Sequence, residues 1–215
     1  MRIVILGATC PLGKTLLEKA LQRGYEAKAF VRNPDKLGDL KEDVRVVQGS
    51  IFDPDKMSEA IQDADAVITA VGAPIKNAEA PERYRDAMAD LVSAMKSNHV
   101  KRIIAVGGAG TRYEKERMGF KRSMLSIIVS LAGKHIVRAK RLEYAVLKNS
   151  GLDWTVVRPP QIADADGELI ADQTHLKGFK VDTGQLADFM LDNIEKETWI
   201  NKLPLVATIK KARTG

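Results

Sequence analysis

Short apolar runs alternate with helix-like segments from the first residues of the chain onward. Residues 3–6 form a continuous apolar run, which is typical of a strand that is covered on both faces of a parallel sheet. The segment that follows has apolar residues at helical spacing and stops at Gly24. The same alternation predicts later strands over residues 27–31, 44–47, 66–71, 103–106, 155–157 and 205–207, and helices from about Pro81 and over 186–194.

This regular alternation of strands and helices predicts the fold class. Parallel strands that are joined by helices require right-handed crossovers, which put helices on both faces of the sheet. We therefore predict an α/β protein with a doubly wound, Rossmann-like parallel sheet. No repeat or linker divides the chain, so residues 1–215 are predicted to form one domain, with a small C-terminal, substrate-side part over about 159–215.

Composition narrows the class of protein. Of the 215 residues, 45% are hydrophobic and 29% are charged, which is ordinary for a globular domain and argues against disorder. The single cysteine excludes a disulfide framework and a cysteine-rich zinc site. No apolar run approaches the ~20 residues that span a bilayer, and strand-like residues begin at Arg2, so we expect a soluble, cytoplasmic protein with no membrane partner.

Positive charge is concentrated in one part of the chain. The net charge is +6, and residues 112–148 hold ten Lys and Arg against three Glu. A basic face attracts nucleic acids, but it equally suits an anionic cofactor or substrate. No nucleic-acid motif accompanies the charge, and aromatic residues make up only 5% of the chain, so we do not expect a nucleic-acid partner.

A glycine-containing loop follows the first predicted strand and leads into the first helix. Its sequence from Gly7 is Gly-Ala-Thr-Cys-Pro-Leu-Gly-Lys-Thr, and a strand–loop–helix of this kind presents backbone N–H groups to an anion. A simple tight turn is the plainest interpretation. A relaxed P-loop over residues 8–15 is another, with Lys14 and Thr15 serving a nucleotide hydrolase. The P-loop interpretation lacks an Asp at the end of a neighbouring strand, and Pro11 removes one N–H donor.

The third interpretation is a dinucleotide-binding loop, and it rests on a resemblance. Gly7 and Gly13 resemble the outer glycines of the Gly-x-x-Gly-x-x-Gly loop of extended and atypical short-chain dehydrogenase/reductases, with Cys10 at the position of the middle glycine. Residues 49–53, Gly-Ser-Ile-Phe-Asp, resemble the Gly-Asp-x-x-Asp stretch that frames adenine in that family, and residues 150–159 look like its SGLDYTIVRP segment. The resemblance runs from residue 1 to about residue 207 and is closest to the flavin/biliverdin reductase and NmrA-like branch.

The resemblance implies which residues would contact a dinucleotide. Arg32 stands where NAD-binding members carry an acidic residue, and its guanidinium fork matches a 2′-phosphate, so NADP(H) is the expected cofactor and NAD(H) the alternative. A solvated Arg at a strand end is the other interpretation of Arg32. The implied contacts are Gly7, Thr9, Cys10, Pro11, Leu12 and Gly13 at the pyrophosphate, Arg32, Asn33 and Lys36 at the 2′-phosphate, Ser50 and Ile51 at the adenine, Ala70, Val71 and Gly72 along the ribose and phosphates, and Gly107, Lys140 and Pro159 towards the nicotinamide.

The catalytic residues of the family are hard to find in this chain. Standard members use a Ser after the fifth strand and a Tyr-x-x-x-Lys on the following helix, in which the Tyr transfers the proton. Tyr144 and Lys148 have that spacing, but they lie too close in sequence to Arg158. In the family the lysine lies well over a dozen residues before the Arg of the Arg-Pro pair, so the resemblance favours Lys140 over Lys148.

Two residues remain as candidate catalytic groups. With Lys140 as the lysine, the tyrosine position falls on Ile136 and the serine position on residues 106–108, which carry no hydroxyl. Lys140 is expected to contact the nicotinamide ribose, and His135 is a candidate proton donor. A solvated lysine and a structural histidine are the alternatives that the sequence leaves open.

The missing tyrosine and serine guide the prediction of function. Hydride transfer to a flavin-, quinone- or tetrapyrrole-like ring needs little acid–base machinery, so we predict an NADPH-dependent reductase with a small planar redox acceptor. Met118, Phe120 and Met124 are candidate lid residues over that ring. The alternative from another class is a non-catalytic NAD(P)-sensing protein of the NmrA-like type, and the nucleotide hydrolase is third. The predicted state is a monomer or a homodimer.

Overall fold

A six-stranded parallel sheet forms the centre of the protein. The computed structural model describes residues 1–72, 79–113 and 133–210. The strands are β1 (Arg2–Leu6), β2 (Glu26–Val31), β3 (Arg45–Gln48), β4 (Ala66–Thr69), β5 (Arg102–Val106) and β6 (Asp153–Val157). Their order is β3-β2-β1-β4-β5-β6, and every neighbouring pair is parallel. This order confirms the predicted doubly wound, Rossmann-like sheet.

Helices cover both faces of this sheet. They are α1 (Pro11–Gln22), α2 (Leu40–Asp43), α3 (Pro54–Ile61), α4 (Ala80–Ser97), α5 (Lys134–Lys148) and α6 (Thr183–Asp192), with a 3-10 turn over Pro34–Leu37. Helix α1 packs beside α6 on one face, and α3, α4 and α5 lie side by side on the other. Within the described ranges, no helix is both long enough and apolar enough to cross a membrane.

Strand β1 shows how the sequence divides the core into two layers. Its side chains alternate between faces, so Ile3 and Ile5 join the cluster under α1 and α6. Val4 and Leu6 join the cluster under α3, α4 and α5. All four side chains are buried, as expected of a strand with helices on both faces. Each contributes about 1.5–3 kcal/mol of hydrophobic free energy to folding.

The chain after β6 returns to the edge of the sheet. It forms β7 (Gln161–Ile162), β8 (Glu168–Asp172), β9 (Lys180–Val181) and β10 (Leu205–Ile209), with β8 antiparallel to β10 and β7 parallel to β9. The buried guanidinium of Arg158 donates from Nε to the carbonyl of Leu203 at 2.8 Å and from a second nitrogen to the carbonyl of Gln173 at 3.3 Å. These bonds attach the C-terminal segment to β6.

Two of the predicted element ends that differ from the structure lie beside a side-chain hydrogen bond. The apolar run over 66–71 forms a strand only to Thr69, because the carbonyl of Val71 leaves the sheet and accepts a hydrogen bond from Lys140 instead (3.1 Å). The helix predicted over 186–194 ends at Asp192, where the side-chain amide of Asn193 donates to the carbonyl of Phe189 at 2.7 Å. The predicted last strand corresponds to β10, whereas β7, β8 and β9 have no clear signal in the sequence.

Candidate functional site

A groove opens at the carboxyl ends of the strands, beside β1. The strand order reverses there, since β1 lies between β2 and β4 and the connections on its two sides leave in opposite directions. Two cavities lie in the groove, a first cavity of about 180 Å³ and a second cavity of about 500 Å³. Cys10, Ala70, Val71 and Gly72 line both, so the two cavities adjoin at the loop that follows β1.

Gly7 and Gly13 allow this loop to turn tightly against β4. Gly7 has a φ of +78°, and a Cβ on it would lie 2.9 Å from the backbone nitrogen of Val71. A Cβ on Gly13 would overlap the backbone of Gly7 and Ala8. Both positions therefore require glycine.

The thiol of Cys10 caps the first helix. Its Sγ accepts a hydrogen bond from the N–H of Gly13 at 3.3 Å, and its carbonyl accepts from the N–H of Lys14 at 2.9 Å. Pro11 has no N–H to donate. Among the described residues, none accepts from the N–H of Leu12, so this group alone in the first turn is available to an anion.

The first cavity brings together most of the residues predicted at the adenosine half of a dinucleotide. Those that line it are Gly7, Thr9, Cys10, Arg32, Ser50, Ile51, Ala70, Val71 and Gly72. Phe30, Val31, Gly49 and Phe52 complete the wall and were not predicted. Arg32 is exposed where β2 ends, and its guanidinium forms no ion pair with any residue that the structure describes.

Asn33 and Lys36, predicted beside Arg32, do not line this cavity. Asn33 caps the 3-10 turn, because its Oδ1 accepts from the N–H of Asp35 at 3.0 Å. Lys36 is exposed on the same turn. Of the three residues predicted at a 2′-phosphate, Arg32 is therefore the one that borders the cavity.

The stretch after β3 forms one end of the first cavity. Ser50 turns the chain by accepting from the N–H of Phe52 at 3.3 Å, and Asp53 caps α3 by accepting from the N–H of Lys56 at 3.1 Å. The guanidinium carbon of Arg83 lies 4.3 Å from the centre of the Phe52 ring. Asp53 is thus engaged in capping a helix, and the stacked Phe52–Arg83 pair is a feature that sequence reasoning missed.

The second cavity is wider and mostly apolar. Of the predicted contacts, Pro11, Leu12, Gly107 and Lys140 line this cavity and not the first. The rest of the wall consists of Cys10, Ala70, Val71, Gly72, Val106, Gly108, Ala109, Gly110, Thr111, Ile136, Pro160, Ile162 and Thr183. Within the described residues, neither cavity has an acidic side chain in its wall.

Three further predicted residues line neither cavity. Pro160 lines the second cavity and Pro159 does not. Ile136 also lines it, whereas His135 does not; consecutive helix residues differ by about 100° in direction. Gly13 lies behind the loop, against the backbone. The hypothesis that His135 donates a proton therefore gains no support from its position.

The second cavity is also lined by a threonine that was not predicted. The position expected for the serine of the family has no hydroxyl group. A larger residue at Gly107 would be crowded, because an added Cβ would lie 2.8 Å from the hydroxyl oxygen of Tyr113. Thr111 is buried in the cavity wall. A turn places Thr111 in the wall, and in this turn the N–H of Thr111 donates to the carbonyl of Gly108 at 3.1 Å. No spacing pattern in the sequence predicts a threonine at this place.

Lys140 reaches the wall of the second cavity from α5. Its Nζ lies 2.7 Å from a carboxylate oxygen of Glu143, 3.1 Å from the carbonyl oxygen of Val71 and 3.5 Å from the hydroxyl oxygen of Tyr84. The side chain of Lys140 is only 7% exposed, so the alternative of a solvated lysine is wrong. Burial, and then the carboxylate of Glu143, raises the pKa of Tyr84 well above its usual value, which keeps this hydroxyl protonated at neutral pH.

The Tyr-x-x-x-Lys sequence of residues 144–148 does not line the groove. Tyr144 and Lys148 line neither the first nor the second cavity. The ring of Tyr144 packs edge-on against those of Tyr113 and Trp154, with centres 4.9 Å and 5.6 Å away. The candidate lid residues Met118, Phe120 and Met124 lie outside the described residues.

Comparison with known proteins shows which proteins this chain is similar to. Residues 7–197 match the family model described as NAD(P)H-binding. The Bacillus subtilis protein YwnB is 34% identical over 117 residues, which are 54% of this chain, and the chain spans 51% of the length of YwnB. A short-chain dehydrogenase/reductase of the wide type from Veillonella parvula, solved in complex with NADP, superposes with a TM-score of 0.78 at 20% identity, covering 96% of this chain and 94% of that one. ChuY, an anaerobillin reductase from Escherichia coli, superposes with a TM-score of 0.79 at 20% identity, covering 99% and 100%.

The family match covers most of the chain. The protein therefore belongs to the NAD(P)H-binding family of Rossmann-type proteins. This assignment confirms the predicted relationship to the atypical short-chain dehydrogenase/reductases and the predicted dinucleotide cofactor. The two solved structures, both at 20% identity, support the assignment of the fold alone.

Proposed function

We propose that the protein is an NADPH-dependent reductase that passes hydride to a small planar acceptor without the Ser-Tyr-Lys triad of its family. The observation that carries this proposal is the contrast between the two cavities that adjoin at the glycine loop. The first is narrow and has an arginine at its rim, which suits a phosphorylated adenosine. The second is wide and apolar, which suits a nicotinamide ring and an acceptor.

The residues of the first cavity fit the nucleotide half of NADPH. Gly7 and Gly13 let the loop turn tightly against the neighbouring backbone at the edge of the cavity, and among the described residues none accepts from the N–H of Leu12, which leaves it available to the pyrophosphate. No residue that the structure describes forms an ion pair with the guanidinium of Arg32, which can hold a 2′-phosphate through two parallel hydrogen bonds. NADPH supplies the hydride when bound, and the residues of the chain bind and orient it.

The residues of the second cavity suit a flat acceptor with apolar faces. Gly107 and Gly108 have no side chains, so the part of the wall that follows β5 does not project into the cavity. The space beside Gly108 is open, since a Cβ there would have no neighbour closer than 3.8 Å. Ile136 and Ile162 line the cavity and are 49% and 38% exposed, although isoleucine is usually buried. Because Ile136 stands at the tyrosine position, the site is suited to stacking an acceptor rather than to protonating a carbonyl.

The C-terminal part, from about residue 159, belongs to the acceptor side in this proposal. Pro160, Ile162 and Thr183 contribute to the wall of the second cavity, and none of these residues reaches the first. The acceptor is therefore expected to contact the last quarter of the chain, whereas the nucleotide contacts the first third.

A binding protein that senses the dinucleotide is the second candidate function. The absence of the tyrosine and serine favours it, since a sensor needs the nucleotide half of the groove and no catalytic group. The nucleotide hydrolase has less support. The hydroxyl of Thr15 donates to the carbonyl of Pro11 at 3.1 Å, and the described walls of the groove have no carboxylate for Mg²⁺.

Calorimetric titration with NADPH, NADH and Mg-ATP separates the three functions. It is followed by a measurement of NADPH oxidation with FMN, a quinone or biliverdin as acceptor. Binding of NADPH with turnover is the expected result. Tight binding of NADPH without turnover on any acceptor would favour the sensor, and binding of Mg-ATP alone would favour the hydrolase. Light scattering of the same sample measures whether the protein is the expected monomer or homodimer.

A further inference from the structure

A buried polar cluster lies directly behind the wall of the second cavity. It consists of Tyr84 from α4 and of Lys140 and Glu143 from α5. The hydroxyl of Tyr84 donates to one carboxylate oxygen of Glu143 at 3.3 Å, and the other oxygen lies 2.7 Å from the ammonium of Lys140. Tyr84 is fully buried and Glu143 is 1% exposed. The three side chains form a closed ring, since Lys140 also donates to the hydroxyl of Tyr84.

Such a cluster is a costly way to join two helices. Burying an ion pair removes two charges from water, and apolar side chains of similar size often hold helices together equally well. Here the cost is limited because the ammonium of Lys140 has three N–H groups and three oxygen acceptors within 3.5 Å. The cluster thus keeps a charged group in one place at the cavity wall.

The third acceptor of Lys140 links the cluster to the groove. This acceptor is the carbonyl oxygen of Val71, and Val71 lines both cavities. Tyr84 and Glu143 are buried and line neither the first nor the second cavity. Both touch Lys140, which does line the second cavity.

We propose that Glu143 and Tyr84 are positioning residues for Lys140: Glu143 holds the ammonium beside Val71, and Tyr84 holds the carboxylate of Glu143. The consequence for catalysis rests on the proposed function, in which Lys140 borders the nicotinamide half of NADPH. A displaced Lys140 leaves the nicotinamide less well oriented towards the acceptor, and small errors of orientation lower the rate of hydride transfer strongly. Loss of Glu143 therefore lowers kcat more than it raises the KM for NADPH.

An ion pair between α4 and α5, outside the buried cluster, provides a control. Glu82 of α4 pairs with Arg138 of α5, and neither residue lines the groove. Glu82→Gln removes a carboxylate charge between α4 and α5, as Glu143→Gln does, but leaves Lys140 untouched. If the only role of the buried cluster were to hold α4 against α5, Glu82→Gln and Glu143→Gln would differ in thermal stability but not in the position of Lys140 or in kcat.

The position of Lys140 can be measured without any cofactor. Limited acetylation with acetic anhydride, followed by mass spectrometry, reports how fast each lysine reacts, and the exposed Lys36 serves as the internal reference. Lys140 is expected to be protected in the wild type and in Glu82→Gln. In Glu143→Gln we expect it to react at least about 10-fold faster relative to Lys36. Equal protection in all three proteins would overturn the positioning role.

The kinetic consequence is measured with NADPH and 2-methyl-1,4-naphthoquinone. For Glu143→Gln we expect kcat to fall about 10- to 100-fold with the KM for NADPH changed less than about 3-fold, and Glu82→Gln to match the wild type. Tyr84→Phe keeps the ion pair and removes one hydroxyl, so it decides the question if Glu143→Gln fails to fold; its kcat is expected to fall about 3- to 10-fold. An unchanged kcat in folded variants would overturn the catalytic consequence. A wild type that does not bind NADPH would overturn the proposed function instead, and the acetylation result would still decide the role of Glu143.

Discussion

The thiol of Cys10 lies 3.6 Å from the carbonyl oxygen of Ala70, and this contact joins the glycine loop to the chain just beyond β4. The same sulfur accepts the N–H of Gly13. A protein side chain therefore uses a backbone donor that could otherwise serve a phosphate, at the point where the two cavities adjoin.

Replacing Cys10 by Gly is expected to strengthen binding of NADPH. The change frees the N–H of Gly13 and removes the sulfur from the space next to the pyrophosphate, so Kd for NADPH should fall about 3- to 10-fold by calorimetry. Cys10→Ser keeps an acceptor for the N–H of Gly13 and should bind NADPH as the wild type does. Weaker binding by Cys10→Gly would mean that the thiol itself supports the cofactor.

Replacing Arg32 by Ala is expected to remove the preference for NADPH over NADH. The loss of a charge-assisted pair with the 2′-phosphate should raise Kd for NADPH about 10- to 100-fold and leave Kd for NADH unchanged. Arg45→Ala is the matched control, because Arg45 is an exposed arginine on the neighbouring strand that lines neither cavity of the groove. Equal weakening of both dinucleotides by Arg32→Ala would contradict the assignment.

Replacing Ile136 by Ser is expected to impair use of the acceptor and not binding of NADPH. Loss of an apolar contact of about 1–2 kcal/mol should lower kcat/KM for a quinone about 5- to 30-fold in steady-state assays. Phe179→Ser is the control, since Phe179 is also a large exposed apolar residue, at 63%, but lies outside the wall of the second cavity. Similar losses in the two variants would show that the effect is not specific to the cavity.

Asp172 is expected to make stability depend on acid pH. Hydrogen bonds from the N–H groups of His175 and Thr174 lower the pKa of its carboxyl to about 2. A folded-state pKa below the unfolded value gives stability that is complete above the unfolded value, near pH 4, and is lost as the pH falls through about 2. Because the site is close to solvent, the contribution is about 1 kcal/mol or less.

Urea unfolding of the wild type and of Asp172→Asn between pH 2 and pH 7 checks this expectation. The variant should be less stable at pH 7 and should approach the wild type as the pH falls towards 2. A constant difference between the two proteins across this range would contradict the assigned cause.

The sheet and the glycine loop could be predicted because local patterns determine them. The continuous apolar run of β1 reports burial on both faces, and Gly7 and Gly13 stand at fixed distances after it. Arg32 follows β2 directly, so its position at the rim of the groove could also be predicted from its place in the sequence.

The second cavity was harder to predict because distant segments build it. Tyr84 and Lys140 meet although 56 residues separate them, and their contact depends on how α4 packs on α5. A turn places Thr111 in the wall of the second cavity, and no periodic pattern in the sequence predicts that turn. The difference between Pro159 and Pro160 has a similar cause, since side-chain direction after a strand end follows the local turn.

The attachment of the C-terminal segment by Arg158 has a consequence for how acceptor specificity can change. The bonds from this guanidinium to Leu203 and Gln173 depend on backbone carbonyls, which every residue type supplies. Side chains between these anchor points can therefore be exchanged while the segment stays in place against β6. In the proposed function, the nucleotide half of the groove lies in a separate stretch of sequence, so a chain of this design can acquire a new acceptor by substitutions after Arg158 while it keeps its coenzyme.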